Sequence, residues 1–292
     1  MNNENQKIQK VYILGSGTLA YECAKYAKEK EKDYDTEVYL FEMTEKKSIG
    51  LEKKAMAAGI SYQHKERKQV YDLLCEEKAE VLLVSAINEF IIPKRVLERE
   101  NITAVNLHQA LLPMHPGRNA ESWAIYEEDE KSGITWHFMK VEVDAGDIIC
   151  QKEISLDETI TAYQLFQKQI MLSKEAFIEI YESLIYKIAK SYPQEKKDNV
   201  RMHKSFEIPN DGYINLEWDG KKLCAFLRAM DYSVLKVLGN PKIVYRGKTY
   251  SVGKYQFSVT QTMENRVEWI ENEIHINKDG YYFILKKLKE EM

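Results

Sequence analysis

Three polar residues in the middle of the chain have the types and spacing for acyl transfer to an amine. Asn106 and His108 end a β-rich run, where residues two apart face the same way, and Asp144 follows in an Asp-Ala-Gly-Asp turn. The amide can donate to the oxyanion of a tetrahedral intermediate, and the imidazole can move the amine's proton. The carboxylate can orient the imidazole and raise its pKa, or take a proton through water. This chemistry needs neither a covalent intermediate nor a metal ion.

Taken singly, the same residues also fit a structural role. Asn-x-His at the end of a strand is common in polar turns, and Asp before Ala-Gly is a frequent turn residue. The elements around them, and the longer sequence string that contains them, decide between these interpretations.

The first hundred residues alternate between strand and helix patterns. The predicted strands cover 11–14, 37–42, 80–85 and 103–108, and the predicted helices cover 18–28, 51–59, 70–77 and 93–99. The apolar centre of 80–85 is typical of a strand buried on both faces. This order predicts an α/β fold with a Rossmann-like, doubly wound and mostly parallel sheet. Asn106 and His108 then lie at the carboxyl end of a parallel strand, where such sheets place their sites.

A different pattern follows. Strand-like runs at 133–141 and 148–156 precede an amphipathic helix at 162–190, which a capping box of Thr161 and Gln164 begins. Its predicted core-facing stripe contains Phe166, Ile170, Phe177, Ile180, Leu184 and Ile188. We predict a catalytic domain at 1–190, a polar linker at 191–204, and a small mixed C-terminal domain at 205–292 with a helix near 221–230 and a hairpin that turns at Gly247.

Composition narrows the classes of partner. The 292 residues carry a formal net charge of -4, which offers no general attraction to nucleic acid or to an anionic membrane. The apolar runs are too short to span a bilayer, and residues 1–10 do not form a signal peptide. The four cysteines form no CxxC pair, so we expect reduced thiols, no bound metal and a cytoplasmic location. The oligomeric state is left open, with a homodimer as one option.

A glycine-rich segment near the start supports a competing hypothesis. Residues 15–20 read Gly-Ser-Gly-Thr-Leu-Ala, which fits the GxGxxA dinucleotide fingerprint, and Glu42 ends the second predicted strand where a ribose-binding acid belongs. An NAD-dependent oxidoreductase is therefore an alternative. A tight strand-to-helix turn also favours glycine, so a purely structural role for Gly15 and Gly17 stays open as well.

The longer string around the polar residues resembles the folate-dependent formyltransferase family. Residues 105–117 read Val-Asn-Leu-His-Gln-Ala-Leu-Leu-Pro-Met-His-Pro-Gly, and residues 143–148 read Val-Asp-Ala-Gly-Asp-Ile. The family includes methionyl-tRNA formyltransferase, glycinamide ribonucleotide transformylase and the sugar N-formyltransferases. The resemblance covers about 10–190, with a weaker match at 212–229, and it implies a catalytic triad of Asn106, His108 and Asp144.

The resemblance also implies a folate site and 10-formyltetrahydrofolate as the formyl donor. In the family the pterin bonds largely to backbone groups, and the matching positions here are Asn88, Phe90, Ile91, Ile92, Val141 and Val143. One position departs from the family: the small polar Ser that usually follows the His by two residues is Ala110. The hydroxyl of that Ser is therefore missing near the site, and its contribution to substrate binding in the family is in doubt for this chain.

The amine acceptor is expected to be a small molecule: an amino sugar, a nucleotide sugar or an amino-acid building block. Transfer RNA is the alternative, but the family's basic insertion after the second strand is missing, and 203–292 contain fourteen Lys/Arg against twelve Asp/Glu. The candidate acceptor contacts are His115, Arg118, Asn119 and Trp123, for which a solvated loop or a core position is the structural alternative. A third hypothesis, an inactive binding module, conflicts with the intact Asn, His and Asp.

Overall fold

The computed structural model describes residues 7–195, 197 and 200–291. Its strands are β1 (Lys10–Leu14), β2 (Glu37–Glu42), β3 (Ser61–His64), β4 (Val81–Ser85), β5 (Ile102–His108), β6 (Lys131–Phe138), β7 (Ile148–Ser155), β8 (Lys242–Tyr245), β9 (Lys248–Val259), β10 (Arg266–Ile270), β11 (Glu273–Lys278) and β12 (Tyr281–Glu290). Its helices are α1 (Thr18–Glu29), α2 (Glu31–Tyr34), α3 (Ile49–Ala57), α4 (Arg67–Glu76), α5 (Lys94–Leu97), α6 (Ala120–Tyr126), α7 (Ala162–Ile185) and α8 (Gly220–Ala229).

The first sheet has seven strands in the order β3-β2-β1-β4-β5-β6-β7. The pairs among β1 to β5 are parallel, and β6 runs antiparallel to β5. The predicted α/β fold with a mostly parallel sheet is confirmed. Strand β3 and helix α6 were not predicted from the sequence. The four residues of β3, Ser-Tyr-Gln-His, are half-buried or exposed, so they lack the apolar run that marked the other strands.

Alternate residues of the central strands enter two separate cores, one on each face of the sheet. Leu82 and Val84 of β4 lie in a core with α1 and α7, while Val81 and Leu83 lie in a core with α4 and α5. This confirms the doubly wound arrangement, since only a sheet covered on both faces buries every residue of a strand. On β5, Ile102 and Ala104 belong to the second core. Asn106 and His108 continue that face towards the carboxyl end of the strand.

The long helix α7 begins as predicted and ends earlier. Gln164 N–H donates to Thr161 Oγ1 at 3.3 Å and Thr161 N–H to Gln164 Oε1 at 3.0 Å, which confirms the capping box. The helix ends at Ile185 because Lys187 takes a left-handed conformation (φ 55°). The extension to residue 190 was therefore wrong. Ile188 is 61% exposed and does not belong to the predicted stripe, whose members Phe177, Ile180 and Leu184 are buried.

The chain divides into two compact units, each of three segments. The first contains Met1–Pro116, Gly133–Glu153 and Lys168–Arg201, and the second contains Gly117–Ser132, Ile154–Gln167 and Met202–Met292. The domain boundaries predicted from the sequence, with a linker at 191–204, stay a prediction.

The second unit contains an antiparallel sheet in the order β10-β11-β12-β9-β8. Its hairpins turn through residue pairs with positive φ, as type I′ turns require: Arg246-Gly247, Glu271-Asn272 and Asp279-Gly280. The predicted turn at Gly247 is confirmed. The ring centroids of Trp269, on edge strand β10, and Tyr245, on the other edge strand β8, are 6.0 Å apart. The sheet is therefore strongly curled.

Within this unit, polar contacts join α6 to α8 and the segment after it. Ser122 Oγ donates to the Ala229 carbonyl at 2.8 Å, and the Tyr232 hydroxyl donates to Glu121 Oε1 at 2.6 Å. Burial raises the pKa of the Glu121 carboxyl above its ordinary value. Within the described ranges, no helix has both the length and the apolar character needed to cross a membrane.

Candidate active site

His108 lies at the end of β5 with 5% of its surface exposed. Its Nδ1 is 3.5 Å from Asp144 Oδ2, and its Nε2 is 2.8 Å from the backbone carbonyl oxygen of His115. Burial lowers the pKa of His108 below its ordinary value, while the Asp144 carboxylate acts in the opposite direction. The pair predicted from the sequence therefore lies together in the structure.

The contacts of His108 also determine where its protons lie. A carbonyl oxygen only accepts hydrogen bonds, so the contact with His115 requires a proton on Nε2. The atom opposite Nδ1 is a carboxylate oxygen, which also accepts when ionised. A protonated ring satisfies both contacts and a neutral ring only one. The mobile proton is consequently the one on Nδ1, on the side of Asp144.

Asp144 lies in an irregular loop between β6 and β7, with its backbone in the left-handed region (φ 56°). Two residues later, a Cβ on Gly146 would lie 1.5 Å from the Phe138 carbonyl oxygen, so only glycine fits this close approach. The Asp-x-Gly pattern in the sequence thus has a structural cause. The glycine lets the loop fold against the end of β6, and the loop brings the carboxylate to His108.

Asn106 contacts a second histidine, His137, for which no role in the site was predicted from the sequence. In the antiparallel register of β5 and β6, Asn106 pairs with His137, and Asn106 Nδ2 is 3.1 Å from His137 Nε2. His137 Nδ1 faces the Phe138 carbonyl at 2.8 Å, so Nδ1 carries the proton and Nε2 of a neutral ring accepts from Asn106. Asn106 Nδ2 also donates to Asp144 Oδ1 at 3.4 Å. The predicted triad therefore converges, with His137 as a fourth member of the cluster.

Thr135 and Gln151 hold the turn that follows the catalytic strand. Thr135 Oγ1 donates to the Ala110 carbonyl at 2.6 Å and accepts from Leu112 N–H at 3.1 Å. Gln151 Nε2 donates to the Leu112 carbonyl and to Thr135 Oγ1, both at 2.9 Å. The chain at Ala110, where the family's usual hydroxyl is missing, is thus fixed through its backbone.

The positions expected to meet the folate lie in two irregular segments, 86–93 after β4 and 139–147 after β6. Asn88 is used within its own segment: its amide donates to Ser85 Oγ and its Oδ1 accepts from Phe90 N–H, both at 2.6 Å. Ile92 is buried, whereas Ile91 is 70% exposed and Val141 57%, and Val143 is exposed too. Segments outside helix and sheet ladders offer backbone groups to a ligand, and exposed apolar side chains are common where a flat ring packs. Their roles in folate binding stay predictions.

The residues expected to contact the acceptor have different surroundings. His115 is buried, and its backbone carbonyl belongs to the site through its contact with His108 Nε2. Arg118 is exposed, and Asn119 occupies the N-cap of α6 in a left-handed conformation. Trp123 is buried and stacks on His203 at 4.2 Å between ring centroids, so a ligand would have to displace that ring to reach it. Their roles in acceptor binding stay predictions.

The glycine-rich loop has a packing explanation. A Cβ on Gly15 would lie 2.5 Å from the Ala86 carbonyl oxygen and 2.7 Å from Ala20 Cβ, so glycine lets α1 approach the sheet closely. Glu42 is 1% exposed, and its carboxylate accepts from Ser48 N–H at 3.1 Å and from the Tyr62 hydroxyl. A buried carboxylate with these two hydrogen bonds is not available to bind the hydroxyls of a ribose. The oxidoreductase hypothesis therefore finds no support in the structure.

A comparison with known protein families supports the catalytic interpretation of the cluster at the end of β5. The model of the formyl transferase family matches residues 9–181, more than half of the chain, and the chain belongs to that family. The matched stretch contains Asn106, His108 and Asp144.

Two relatives differ in the acceptors that their names give. A GDP-perosamine N-formyltransferase of Brucella melitensis is 31% identical over 169 residues, 56% of this chain and 63% of that protein. A methionyl-tRNA formyltransferase of Clostridioides difficile is 34% identical over 112 residues, 38% of this chain and 36% of that protein. The match thus spans less than two thirds of the length of either relative.

Solved structures show that the fold is shared over a longer stretch. An N-formyltransferase from Helicobacter canadensis, in complex with folinic acid and dTDP-3-aminofucose, matches with a TM-score of 0.72 at 17% identity, over 97% of this chain and all of that one (100%). A sugar N-formyltransferase from a Shewanella species matches with a TM-score of 0.67 at 18% identity, over 84% of this chain and 96% of that one.

Proposed function

We propose that the protein transfers the formyl group of 10-formyltetrahydrofolate to the amine of a small molecule, and that this acceptor is an amino sugar. The observation that carries the proposal is the convergence of Asn106, His108 and Asp144 at the end of β5, within the stretch that matches the formyl transferase family. The similarity to the GDP-perosamine enzyme of Brucella melitensis supports the amino sugar.

In the proposed reaction the amine nitrogen bonds to the formyl carbon, and the bond from that carbon to the folate nitrogen breaks. The attacking amine loses a proton and the leaving nitrogen gains one. Nδ1 of His108 is the atom that can take and return this proton, because Nε2 is occupied by the His115 carbonyl. Asp144, 3.5 Å from Nδ1, stabilises the imidazolium while it holds the proton.

Asn106 stabilises the oxyanion of the tetrahedral intermediate. One of its amide N–H groups is directed to His137 Nε2, and the other makes the longer, 3.4 Å contact with Asp144 Oδ1. The longer contact is the weaker one, so this N–H is the group that can turn to the developing oxyanion. The bond to His137 keeps the amide nitrogen, rather than its oxygen, on this side.

The folate supplies the activated formyl group, and residues 88–92 and 141–144 would hold its pterin through backbone groups. The exposed side chains of Ile91, Val141 and Val143 would cover the apolar faces of the ring system. No step of this scheme uses a metal ion, and its absence from the site stays a prediction, as do a cytoplasmic location and a homodimer.

Transfer RNA is the second candidate acceptor, because the methionyl-tRNA formyltransferase of Clostridioides difficile is 34% identical over 112 residues. The matched residues are only 38% of this chain, and the near-balanced charge of 203–292 gives no general attraction to phosphates. The amino sugar is therefore the preferred acceptor, and transfer RNA is the second candidate.

The test is a panel of acceptors offered with 10-formyltetrahydrofolate: GDP-perosamine, a dTDP-linked amino sugar, free amino acids and charged initiator tRNA at low salt. Mass spectrometry detects the formylated product and absorbance follows the release of tetrahydrofolate, with His108→Ala as the control. Turnover of an amino sugar that His108→Ala abolishes supports the proposal. Efficient formylation of the tRNA without turnover of any sugar would assign the enzyme to the second acceptor.

A further inference from the structure

The polar stretch after α7, predicted to be a linker at 191–204, contains near its start a residue that contacts the loop of Asp144. Gln194 Nε2 donates to the backbone carbonyl of Asp144 at 2.6 Å and to that of Gly146 at 2.8 Å. An amide nitrogen has two hydrogens, so one side-chain group binds both carbonyls. The two carbonyls belong to residues on either side of Ala145, and the contact therefore spans the Asp-x-Gly turn.

The segment that carries Gln194 is itself fixed to the first unit. Tyr192 and Ile148, at the start of β7, exchange two backbone hydrogen bonds of 2.8 and 3.0 Å. The Tyr192 hydroxyl donates to Gln151 Oε1 at 3.2 Å. Tyr192 thus forms one antiparallel bridge with the start of β7. This bridge fixes the position of Gln194 beside the loop.

The loop of Asp144 depends on such support. Its backbone at Asp144 is left-handed, a conformation that is uncommon outside glycine, although Asn and Asp adopt it more readily than most residues. Val141 and Val143, just before Asp144, are exposed and contribute little packing. The carboxylate stands 3.5 Å from His108 and 3.6 Å from His137, near the outer limit of a polar contact. A small rotation of the loop would separate it from both rings.

We propose that Gln194 is a positioning residue for formyl transfer, which holds the backbone of Asp144 so that its carboxylate stays against His108. The inference rests on the proposed function for its place in the reaction. Gln194 lies beyond the stretch of 9–181 that matches the family model, so the site extends into the segment after α7.

The first experiment measures formyl transfer by Gln194→Ala, Gln194→Glu and Ser191→Ala in the 292-residue chain. Gln194→Ala removes both donors, and Gln194→Glu keeps the size but sets oxygens against the two carbonyls. We expect kcat to fall about 10- to 100-fold in both variants, the scale for a displaced catalytic group, with little change in KM. Ser191→Ala, three residues away at an exposed position, leaves the contacts of Tyr192 and Gln194 in place and should keep the wild-type kcat.

The second experiment follows the NMR titration of His108, assigned by its loss in His108→Ala, and needs no acceptor. The charged and titratable side chains that face His108 are Asp144, His115 and His137. The Asp144 carboxylate raises the His108 pKa, as does the hydrogen bond to the His115 backbone carbonyl, whereas the two imidazoles lower it. Loss of the positioned carboxylate should therefore lower the His108 pKa in Gln194→Ala, whereas Ser191→Ala should leave it unchanged.

The two readouts separate the inference from the proposed function. A lower kcat together with a lower His108 pKa supports the positioning role. An unchanged His108 titration overturns it, whether kcat falls or not, and a lower melting temperature with unchanged kcat and titration assigns Gln194 to stability alone. If the wild type formylates no acceptor but Gln194→Ala still lowers the His108 pKa, the proposed function fails, while the hold of Gln194 on Asp144 stands.

Discussion

Two regions at the carboxyl ends of parallel strands carry sequence signals of a functional site, and their side chains differ in what they contact. Around β1 and β2, Gly15 lies against the Ala86 carbonyl, and the Glu42 carboxylate binds Ser48 N–H and the Tyr62 hydroxyl. At the end of β5, the polar atoms of Asn106 and His108 meet Asp144. The first set of contacts completes the fold, and the second assembles groups that can exchange protons.

The difference shows how a glycine motif and a catalytic cluster can be told apart. A close approach of backbone and helix accounts for Gly15 without any ligand. In contrast, packing alone gives no reason to bring two imidazoles, an amide and a carboxylate together in the interior, where burial disfavours their charged forms. Burial of the polar groups of Asn106, His108, His137 and Asp144 costs free energy that packing does not explain. A role in a reaction does explain it.

The largest expected effect separates the two regions by activity. His108→Ala and Asp144→Ala should each lower kcat at least ~100-fold, the usual scale for loss of a general acid-base group. Glu42→Gln keeps the shape of a side chain that only supports the fold, and should leave kcat of the folded protein near that of the wild type. Steady-state formyl transfer measures all three. Loss of activity in Glu42→Gln with an intact fold would reverse the comparison.

Ligand binding should separate the regions next. Folinic acid at about 100 times its Kd should stabilise the protein by about 2.7 kcal/mol and raise Tm by a few degrees, whereas NADH should leave Tm unchanged. A thermal-shift titration with both ligands checks this, and Val141→Ser, at an exposed folate-site position, should weaken the response to folinic acid. A rise in Tm with NADH that Glu42→Gln removes would restore the dinucleotide interpretation.

The smallest effect concerns the glycine loop itself. Gly15→Ala places a Cβ 2.5 Å from the Ala86 carbonyl oxygen, and the forced shift should lower the free energy of unfolding by about 1–3 kcal/mol. Gly17→Ala is the matched control, since a Cβ there meets no atom within 4 Å. Urea unfolding measures both. Equal stability of the two variants would mean that the packing explanation of Gly15 is wrong.

Sequence periodicity was sufficient for the parallel sheet and for the position of Asn106 and His108, because buried strands such as β4 are continuous apolar runs. It failed for β3, whose four residues are polar, and for the end of α7, where Lys187 turns left-handed. Both errors concern segments in which local backbone geometry, rather than an apolar pattern, decides the structure.

The contacts that complete the site were less accessible to sequence analysis. His137 follows two residues after Thr135 on a predicted strand, so strand pairing with Asn106 was a signal that could have selected it. The His115 carbonyl and the Gln194 amide act on the site through backbone contacts across turns. Gln194 and Asp144 are 50 residues apart, and no residue pattern records such a contact.

The pH dependence of formyl transfer tests the coupling of His108 to Asp144 most directly. Wild-type kcat/KM should rise with pH through a limb that reports deprotonation of this pair. Asp144→Asn keeps the shape and removes the negative charge that favours the imidazolium, so the His108 pKa should fall and the limb should move to lower pH. A limb that stays in place or moves to higher pH in Asp144→Asn would contradict the account.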